Sequence, residues 1–221
     1  MGTPTGPGEI ISFAIAKFSS THTHPGTTTG QLKIDIIINN AGISHNKYLP
    51  EITIDDFNNH YNINVLGPLL LIQAALPYLP HDRSGRVVNL SSVSSSQGFH
   101  AQSIYGGTKA ALEAMTRTWS RELAERATVN AVNPGPVDTD MYNATIPEFK
   151  ARLRPFIEHA PLMAMDTSGM CDEEKKRYRM DGGRAATSKE IAGVVGMLCS
   201  AESGWCTGSV ICANGGMVFS K

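Results

Sequence analysis

The chain has 221 residues, and its 19 Lys and Arg residues nearly balance 20 Asp and Glu residues, for a formal net charge of -1. This balance gives no electrostatic reason to expect a nucleic acid or an anionic membrane as partner, and a hydrophobic content of 41% excludes global disorder. No apolar run has the length of a membrane span, and the first residues do not have the pattern of a secretion signal. Four cysteines without a Cys-x-x-Cys pair predict a reduced, cytoplasmic chain.

The first residues carry three glycines, Gly2, Gly6 and Gly8, before a helical pattern over 9–18. Glycines before a helix allow the backbone to approach a phosphate, which the helix N-terminus attracts. That interpretation requires a preceding strand, which the sequence does not supply, and Glu9 adds a negative charge where an anion would bind. A glycine- and proline-rich N-terminus without a ligand is an equally good interpretation.

A loop and the first strand come next. Residues 19–33 are rich in Ser, Thr and Gly and predict a loop. The β-branched run at 34–38 ends in Asn-Asn-Ala-Gly at 39–42 and predicts a strand that is buried on both faces. A long helical pattern follows over about 53–79, with a kink predicted at Pro68.

The rest of the chain alternates strands and helices. Further strands are predicted at 86–90, 128–132 and 210–213, and further helices at about 105–126 and 188–199, the last one capped by Ser188. The stretch 140–187 is Met-rich and charged and lacks a clean period, so we interpret it as a helical lid within a single domain, 1–221. The alternation predicts an α/β fold with a parallel sheet.

Tyr105 and Lys109 lie four residues apart on a predicted helix, so both side chains project from one face. A phenol with a pKa of about 10 is a poor acid at neutral pH, but a nearby ammonium lowers that pKa. Ser92 follows the strand at 86–90, at the edge where open α/β sheets bind ligands. Taken singly, Ser92 also fits a serine-rich turn, and Asn64 fits a helix kink.

These residues, in this order, resemble the short-chain dehydrogenase/reductase family over about 34–139 and 182–217. The matching motifs are Asn-Asn-Ala-Gly at 39–42, Asn64, Ser92, Tyr-x-x-x-Lys at 105–109 and Asn-Pro-Gly-Pro-Val-Asp-Thr at 133–139. The resemblance implies a Rossmann-like, doubly wound parallel sheet. The catalytic half is most similar to the 3-oxoacyl-[acyl-carrier-protein] reductase type.

The resemblance implies an oxidoreductase that interconverts a carbonyl and a secondary alcohol with NADP or NAD, with NADP slightly preferred. Tyr105 would be the general acid or base, Lys109 would lower its pKa and bind the nicotinamide ribose, and Ser92 would hold the substrate oxygen. Asn64 would position a water molecule that links Lys109 to solvent. The cofactor-binding residues implied are Gly2, Gly6, Gly8, Asn40, Ala41, Gly42, Tyr105, Lys109, Pro134, Gly135, Val137 and Thr139.

The resemblance also implies a small-molecule carbonyl or alcohol substrate, and a homodimer or homotetramer built on the two long helices and the last strand. We expect no nucleic-acid partner, no membrane partner and no metal, because His22 and His24 have no further ligands at zinc spacing. Phe99, His100 and Gln102 are pocket candidates by position. The methionines at 163, 165, 170 and 180 either line that pocket or pack the lid.

The sequence is short before Asn39. Residues 19–33 cannot hold a strand–crossover–strand unit, which needs roughly 30 residues, although the resemblance implies such units there. We therefore expect N-terminal strands to be partly missing and the strand at 34–38 to lie at an exposed edge. Two interpretations remain: a sequence defect in an ordinary reductase, which the catalytic half favours, or a shortened relative. The latter would be a cofactor-free pseudoenzyme, an interaction protein or a non-redox acid–base catalyst.

Overall fold

The computed structural model describes residues 3, 5–18, 33–165 and 168–219, in which four strands form one parallel sheet. The strands are β1 (Ile36–Asn39), β2 (Gly85–Leu90), β3 (Ala127–Pro134) and β4 (Val210–Ala213), in the spatial order β1-β2-β3-β4. Every pairing is parallel. The predicted α/β fold and its four strands are confirmed, with small shifts at the strand ends.

Helices flank this sheet. They are α1 (Gly6–Phe18), α2 (Ile54–Tyr61), α3 (Gly67–Ala75), α4 (Ser94–Gln97), α5 (Ser103–Glu122), α6 (Asp140–Asn143), α7 (Pro147–His159), α8 (Asp172–Asp181) and α9 (Ser188–Cys199). Short 3-10 turns lie at Leu49–Glu51, Leu76–Tyr78, Pro161–Met163 and Ala201–Ser203. Within the described ranges, none of the helices is both long enough and apolar enough to cross a membrane.

The sheet buries different residues on its two faces, because alternate side chains of a strand point in opposite directions. On one face, the first cluster joins the strands to α1, α3 and α5 through Ile11, Ile37, Ile72, Val87, Leu112 and Val129. On the other face, a smaller cluster joins the strands to α9 through Val88, Val132, Val195 and Leu198. The sheet is therefore covered on both sides at β2 and β3.

β1 is an end strand with one covered face. Ile37 is 6% exposed, whereas Ile36 and Ile38, which alternate with it, are 47% and 46% exposed. The prediction of an exposed edge is confirmed, and the prediction that this strand is buried on both faces is wrong. The apolar composition of β1 is typical of a strand with helices on both sides, so the composition alone did not indicate the uncovered face.

α1 confirms the helix predicted at 9–18 but starts earlier. Gly6 and Gly8 lie in its first turn, rather than in a loop before it. The helix packs against α3, and its Ile11 joins the first cluster, on the sheet face opposite α9. Gly2 lies outside the described residues, and so does the loop predicted at 19–33 except for Lys33.

The long helix predicted over 53–79 is interrupted by a π-helical turn, Asn62–Leu66, between α2 and α3. The three segments are continuous, since the Gly67 N–H donates to the Asn62 carbonyl, and Pro68 is the second residue of α3. The helix is therefore irregular directly before Pro68, where the kink was predicted. Single π-helical turns are frequent at functional sites, and this one contains the buried Asn64.

The stretch 140–187 is helical, as predicted, and contains α6, α7 and α8. Phe149, Leu153 and Ile157 recur every four residues on α7 and form a buried cluster with Met163. The prediction that this stretch lacks a period is therefore wrong for α7. Met163 packs within this stretch and does not line the cavity described below, which favours packing over a pocket role for this methionine.

The N-cap of α9 is Thr187, so the predicted cap at Ser188 is wrong. Thr187 Oγ1 accepts a hydrogen bond from the Glu190 N–H at 3.2 Å, and the Glu190 carboxylate accepts one from the Thr187 N–H at 2.7 Å. This reciprocal pair is a capping box. Arg184 adds an ion pair to Glu190 at 2.7 Å, which holds the pKa of Glu190 down at about 2.

Candidate active site

A cavity of about 800 Å³ opens at the carboxyl ends of the strands, the edge at which open parallel sheets bind ligands. The structure brings most of the predicted site residues into its lining: Asn40, Ala41, Gly42, Ser92, Tyr105, Lys109, Pro134, Gly135, Val137 and Thr139. Gly6 and Gly8 are not among the lining residues. Their predicted place at the cofactor is therefore not supported by the position of α1.

Ser92 and Tyr105 lie close together at the end of β2, where Ser92 Oγ also donates a hydrogen bond to Ser94 Oγ at 3.2 Å. Burial raises the pKa of Tyr105 above its usual value, and the hydrogen bond from Ser92 opposes that rise. Lys109 Nζ lies 5.6 Å from the centroid of the Tyr105 ring. The lowering of the Tyr105 pKa expected from Lys109 is not found: the pKa is raised, because a desolvated phenol resists ionisation.

Lys109 lines the cavity and is 5% exposed. Its Nζ donates a hydrogen bond to the Leu90 carbonyl at 2.7 Å. Burial lowers the pKa of Lys109 to about 8, so the amine is mainly protonated at neutral pH and exchanges its proton within the physiological range. A buried lysine with such a pKa, facing a cleft, is typical of a functional site.

Asn64 is 1% exposed and supports the site from below rather than lining it. Its Nδ2 donates to the Ile43 carbonyl at 2.9 Å and to Thr108 Oγ1 at 3.1 Å. Its Oδ1 accepts a hydrogen bond from the Ile43 N–H at 2.9 Å. Asn64 therefore joins the loop after β1 to the helix that carries Tyr105 and Lys109.

Gly42 brings the backbone of that loop close to Lys109. A Cβ atom at this position would lie 3.3 Å from Asn64 Oδ1 and 3.5 Å from Lys109 Nζ. A side chain would therefore fill the space beside the amine, which the glycine leaves open. This open cradle fits the nicotinamide ribose of a dinucleotide. The glycine-rich phosphate turn of such a site has no counterpart at this cavity among the described residues.

The segment after β3 closes another side of the cavity. A Cβ atom at Gly135 would lie 3.1 Å from Met163 Cε and 3.3 Å from Asn214 Cβ, so this backbone is tightly packed. Val137 forms a β-bridge with Ala186. Thr139 caps α6 by accepting a hydrogen bond from a backbone N–H at 3.4 Å. These contacts fix the segment that the resemblance assigns to the carboxamide of nicotinamide.

The cavity also has an apolar part next to α7. Phe99, Phe149 and Leu153 line it, and the rings of Phe99 and Phe149 meet edge to face with centroids 6.2 Å apart. Gln102 lines the cavity as well and accepts a hydrogen bond from Ser94 Oγ at 2.5 Å. The predictions for Phe99 and Gln102 are confirmed, whereas His100 is not a lining residue.

Glu113 belongs to the surroundings of the site, although its spacing was not singled out in the sequence. Its Oε1 accepts hydrogen bonds from Ser91 Oγ at 2.6 Å, Ser95 Oγ at 2.7 Å and Asn133 Nδ2 at 3.1 Å. Its spacing in the sequence indicates a place near the site, because Glu113 follows Lys109 by one helical turn on the face that also carries Tyr105.

The described residues hold no group of three His, Cys, Asp or Glu side chains that could bind a metal ion. His22 and His24 lie outside these residues.

Curated relatives are similar over most of this chain. An L-xylulose reductase of Aspergillus niger is 54% identical over 225 residues, covering 95% of this chain and 74% of the relative. An L-xylo-3-hexulose reductase of Hypocrea jecorina is also 54% identical, over 86% of this chain and 67% of the relative. A 3-oxoacyl-[acyl-carrier-protein] reductase of Thermotoga maritima is more distant, at 34% identity over 85% of this chain and 67% of the relative.

Among solved structures, a blue fluorescent protein from a metagenomic library in complex with NADPH aligns with a TM-score of 0.75 and 28% identity. The alignment covers 99% of this chain and 73% of that one. A family model described as short chain dehydrogenase matches residues 16–149, a span that includes Asn64, Ser92, Tyr105 and Lys109. This chain belongs to the short-chain dehydrogenase family.

Proposed function

We propose that this protein interconverts a carbonyl group and a secondary alcohol with a nicotinamide cofactor, NADPH in preference to NADH. The observation that carries the proposal is the convergence of Ser92, Tyr105 and Lys109 at one wall of the cavity. The similar NADPH-bound structure supports the choice of cofactor.

In this proposal, Ser92 and Tyr105 act together on the carbonyl oxygen. When bound, the nicotinamide cofactor supplies the hydride that reduces the carbonyl carbon. The Ser92 hydroxyl donates a hydrogen bond to the oxygen on which negative charge develops, and Tyr105 gives its proton to the same oxygen. In the oxidation direction, the phenolate of Tyr105 takes the proton from the alcohol.

Lys109 and Asn64 serve the proton transfer indirectly. The ammonium of Lys109 favours the phenolate form of Tyr105, and its pKa of about 8 allows it to return a proton near neutral pH. Asn64 keeps the loop after β1 against the lysine through its bonds to Ile43. We retain the water-positioning role of Asn64 as a prediction.

The nicotinamide end of the cofactor would be held by Asn40, Ala41 and Gly42, by Tyr105 and Lys109, and by Pro134, Gly135, Val137 and Thr139. The space that Gly42 leaves beside Lys109 supports this assignment. A second candidate function is a cofactor-free interaction protein or a non-redox acid–base catalyst. It is favoured by the exposed side chains on one face of β1 and by a cavity lining that does not include Gly6 or Gly8.

For the substrate, we propose a ketose and its sugar alcohol. The two relatives that are 54% identical are named as reductases of L-xylulose and L-xylo-3-hexulose, and the cavity presents the polar side chains of Ser94, Gln102 and Thr145. A 3-oxoacyl thioester is the alternative substrate, which the apolar part formed by Phe99 and Phe149 favours. The stretch 140–187 would act as the substrate lid within a single domain, since α6 and α7 contribute to the lining.

We further propose that the protein is a homodimer or homotetramer. Ile54 and Phe57 on α2 are 79% and 46% exposed, and Trp205, just before β4, is fully exposed. Large apolar side chains on the surface of both regions support contacts between copies. Sedimentation analysis of the purified protein tests this: a single monomeric species across micromolar concentrations would contradict it.

The oxidation of NADPH, followed by its absorbance, tests the proposed reaction. We expect turnover with L-xylulose, slower turnover with an acetoacetyl thioester, and less activity with NADH. Faster turnover of the thioester would reverse the choice of substrate. Absence of turnover with every carbonyl tested, for a protein that is shown to be folded, would contradict the proposed reaction.

A further inference from the structure

One carboxylate organises the serine-rich segment that follows β2. Glu113 Oε1 accepts hydrogen bonds from Ser91, Ser95 and Asn133 at 2.6, 2.7 and 3.1 Å. These donors come from three different elements: the residue after β2, the helix α4 and the strand β3. A single oxygen on α5 therefore ties together the chain segments that meet at this end of the sheet.

The tied segment contains Ser92. Ser91 precedes it directly, and Ser95 N–H donates to the Ser92 carbonyl at 3.0 Å. The N–H groups of Ser91 and Val93 continue the pairing with β3, since they donate to the Val132 and Pro134 carbonyls at 2.7 and 3.0 Å. Ser91 Oγ thus reaches Glu113, and the adjacent Ser92 lies beside Tyr105.

Glu113 is held by hydrogen bonds from neutral groups. Within the described part of the chain it forms no ion pair, and neutral donors alone hold its partly buried carboxylate. Removing a carboxylate from water costs free energy, and hydrogen bonds from neutral donors compensate for that cost. One carboxylate oxygen accepts all three bonds, so Glu113 fixes the relative positions of the segments that carry these donors.

We propose that Glu113 is a positioning residue that sets the Ser92 hydroxyl against the Tyr105 hydroxyl and the substrate oxygen. It acts through Ser91 and Ser95 and touches none of the reacting atoms. The catalytic side of this proposal depends on the proposed reductase function, whereas the arrangement of Ser92 and Tyr105 does not. Two experiments therefore separate the two claims.

A double-mutant cycle tests the catalytic side. Glu113→Leu removes the acceptor and lowers kcat/KM for the ketose about tenfold to a hundredfold, the cost of a misplaced reacting group, with the NADPH dissociation constant unchanged. Glu113→Gln keeps an acceptor oxygen and restores activity to within a few-fold of wild type. In a Ser92→Ala background, Glu113→Leu has little further effect, because the residue acts through Ser92.

The matched control is Glu122→Leu, an exposed position on the same helix, which leaves kcat/KM unchanged. If Glu113→Leu lowers activity by the same factor with and without Ser92, Glu113 acts independently of Ser92 and the proposal is overturned. Wild-type activity in Glu113→Leu overturns it equally. When Glu113→Leu does not fold, the double variant Ser91→Ala, Ser95→Ala replaces it, with the same expected loss.

The second experiment needs no activity. The hydrogen bond from Ser92 opposes the rise in the Tyr105 pKa, so Ser92→Ala raises that pKa further. We expect Glu113→Leu to raise it in the same direction, measured by NMR titration of ring-labelled tyrosine with Tyr105→Phe to assign the signal. An unchanged Tyr105 pKa in Glu113→Leu refutes the positioning role. If the pKa rises but wild-type protein reduces no carbonyl, the reductase function fails and the positioning of Ser92 stands.

Discussion

The side chain of Asn64 holds the backbone of Ile43 through two hydrogen bonds, each 2.9 Å long. It reaches this backbone from the π-helical turn at Asn62–Leu66 and also donates to Thr108 on α5. The loop after β1 and the helix carrying Lys109 are thus fixed to one amide group. The closeness of Gly42 to Lys109 depends on a residue that does not itself line the cavity.

Replacing Asn64 therefore destabilises the protein. Asn64→Leu leaves the Ile43 N–H and C=O groups without their partners, and each unpaired buried group costs about 1–3 kcal/mol of the free energy of unfolding. Urea unfolding measures this loss. Asn62→Leu, at an exposed position in the same turn, is the control, and an equal loss in both variants would contradict the role assigned to the Asn64 amide.

Replacing Tyr105 separates proton transfer from binding. Tyr105→Phe removes the hydroxyl and keeps the ring, so we expect turnover to fall roughly a hundredfold to ten-thousandfold, the range for losing a general acid. The affinity for NADPH should stay within a few-fold of wild type. Single-turnover kinetics and a cofactor titration of the same variant measure both quantities. Turnover retained in Tyr105→Phe would refute Tyr105 as the acid.

Lys109 makes stability depend on pH. Burial lowers its pKa from 10.5 to about 8, so between these values the unfolded chain binds a proton that the folded chain does not. The contribution of Lys109 to the free energy of unfolding therefore rises with pH from about 8 to 10.5 and does not change with pH below about 8. Relative to Lys109→Met, wild type should gain up to about 3 kcal/mol in the free energy of unfolding from pH 8 to pH 10.5.

Urea unfolding of wild type and Lys109→Met at a series of pH values measures that gain. Comparing the two proteins cancels the titration of the other tyrosines and lysines. A difference between them that does not change with pH would contradict the lowered pKa of Lys109.

The cap of α9 gives a prediction with a neighbouring control. Thr187→Ala removes the acceptor for the Glu190 N–H and should lower the free energy of unfolding by about 1 kcal/mol, the usual cost of a lost N-cap. Ser188→Ala, one residue later, should change it little. Thermal or urea unfolding of both variants measures the contrast, and a larger loss at Ser188 would restore Ser188 as the cap.

Local sequence patterns predicted most of the fold. The strand at 210–213 was predicted with the bounds of β4, because an apolar run between glycines leaves little choice. Asn-Asn-Ala-Gly at 39–42 and the Tyr105–Lys109 pair were brought together as expected. The motif at 39–42 begins at the carboxyl end of β1, and the pair lies in the first turns of α5, so both reach the cavity at that edge of the sheet.

What the sequence did not predict depended on tertiary packing. The spacing of Gly6 and Gly8 is a local pattern, whereas the packing of α1 against α3 is set by Ile11 and its partners in the first cluster. The raised pKa of Tyr105 is caused by burial of its side chain, which residue spacing in the sequence does not predict. Pro68 predicted an irregularity in the helix that contains it. The irregularity is the π-helical turn around Asn64, whose side chain accepts a hydrogen bond from the distant Ile43 N–H.

Binding of the cofactor by this chain is the most direct test of the account. Isothermal titration calorimetry of the purified protein with NADPH and with NADH measures it, and Lys109→Met, which removes the amine beside Gly42, is the matched variant. We predict saturable binding of NADPH below millimolar concentration, tighter than that of NADH and weakened in Lys109→Met. No heat of binding with either cofactor at millimolar concentration, for folded protein, would contradict the proposed reductase function of this chain.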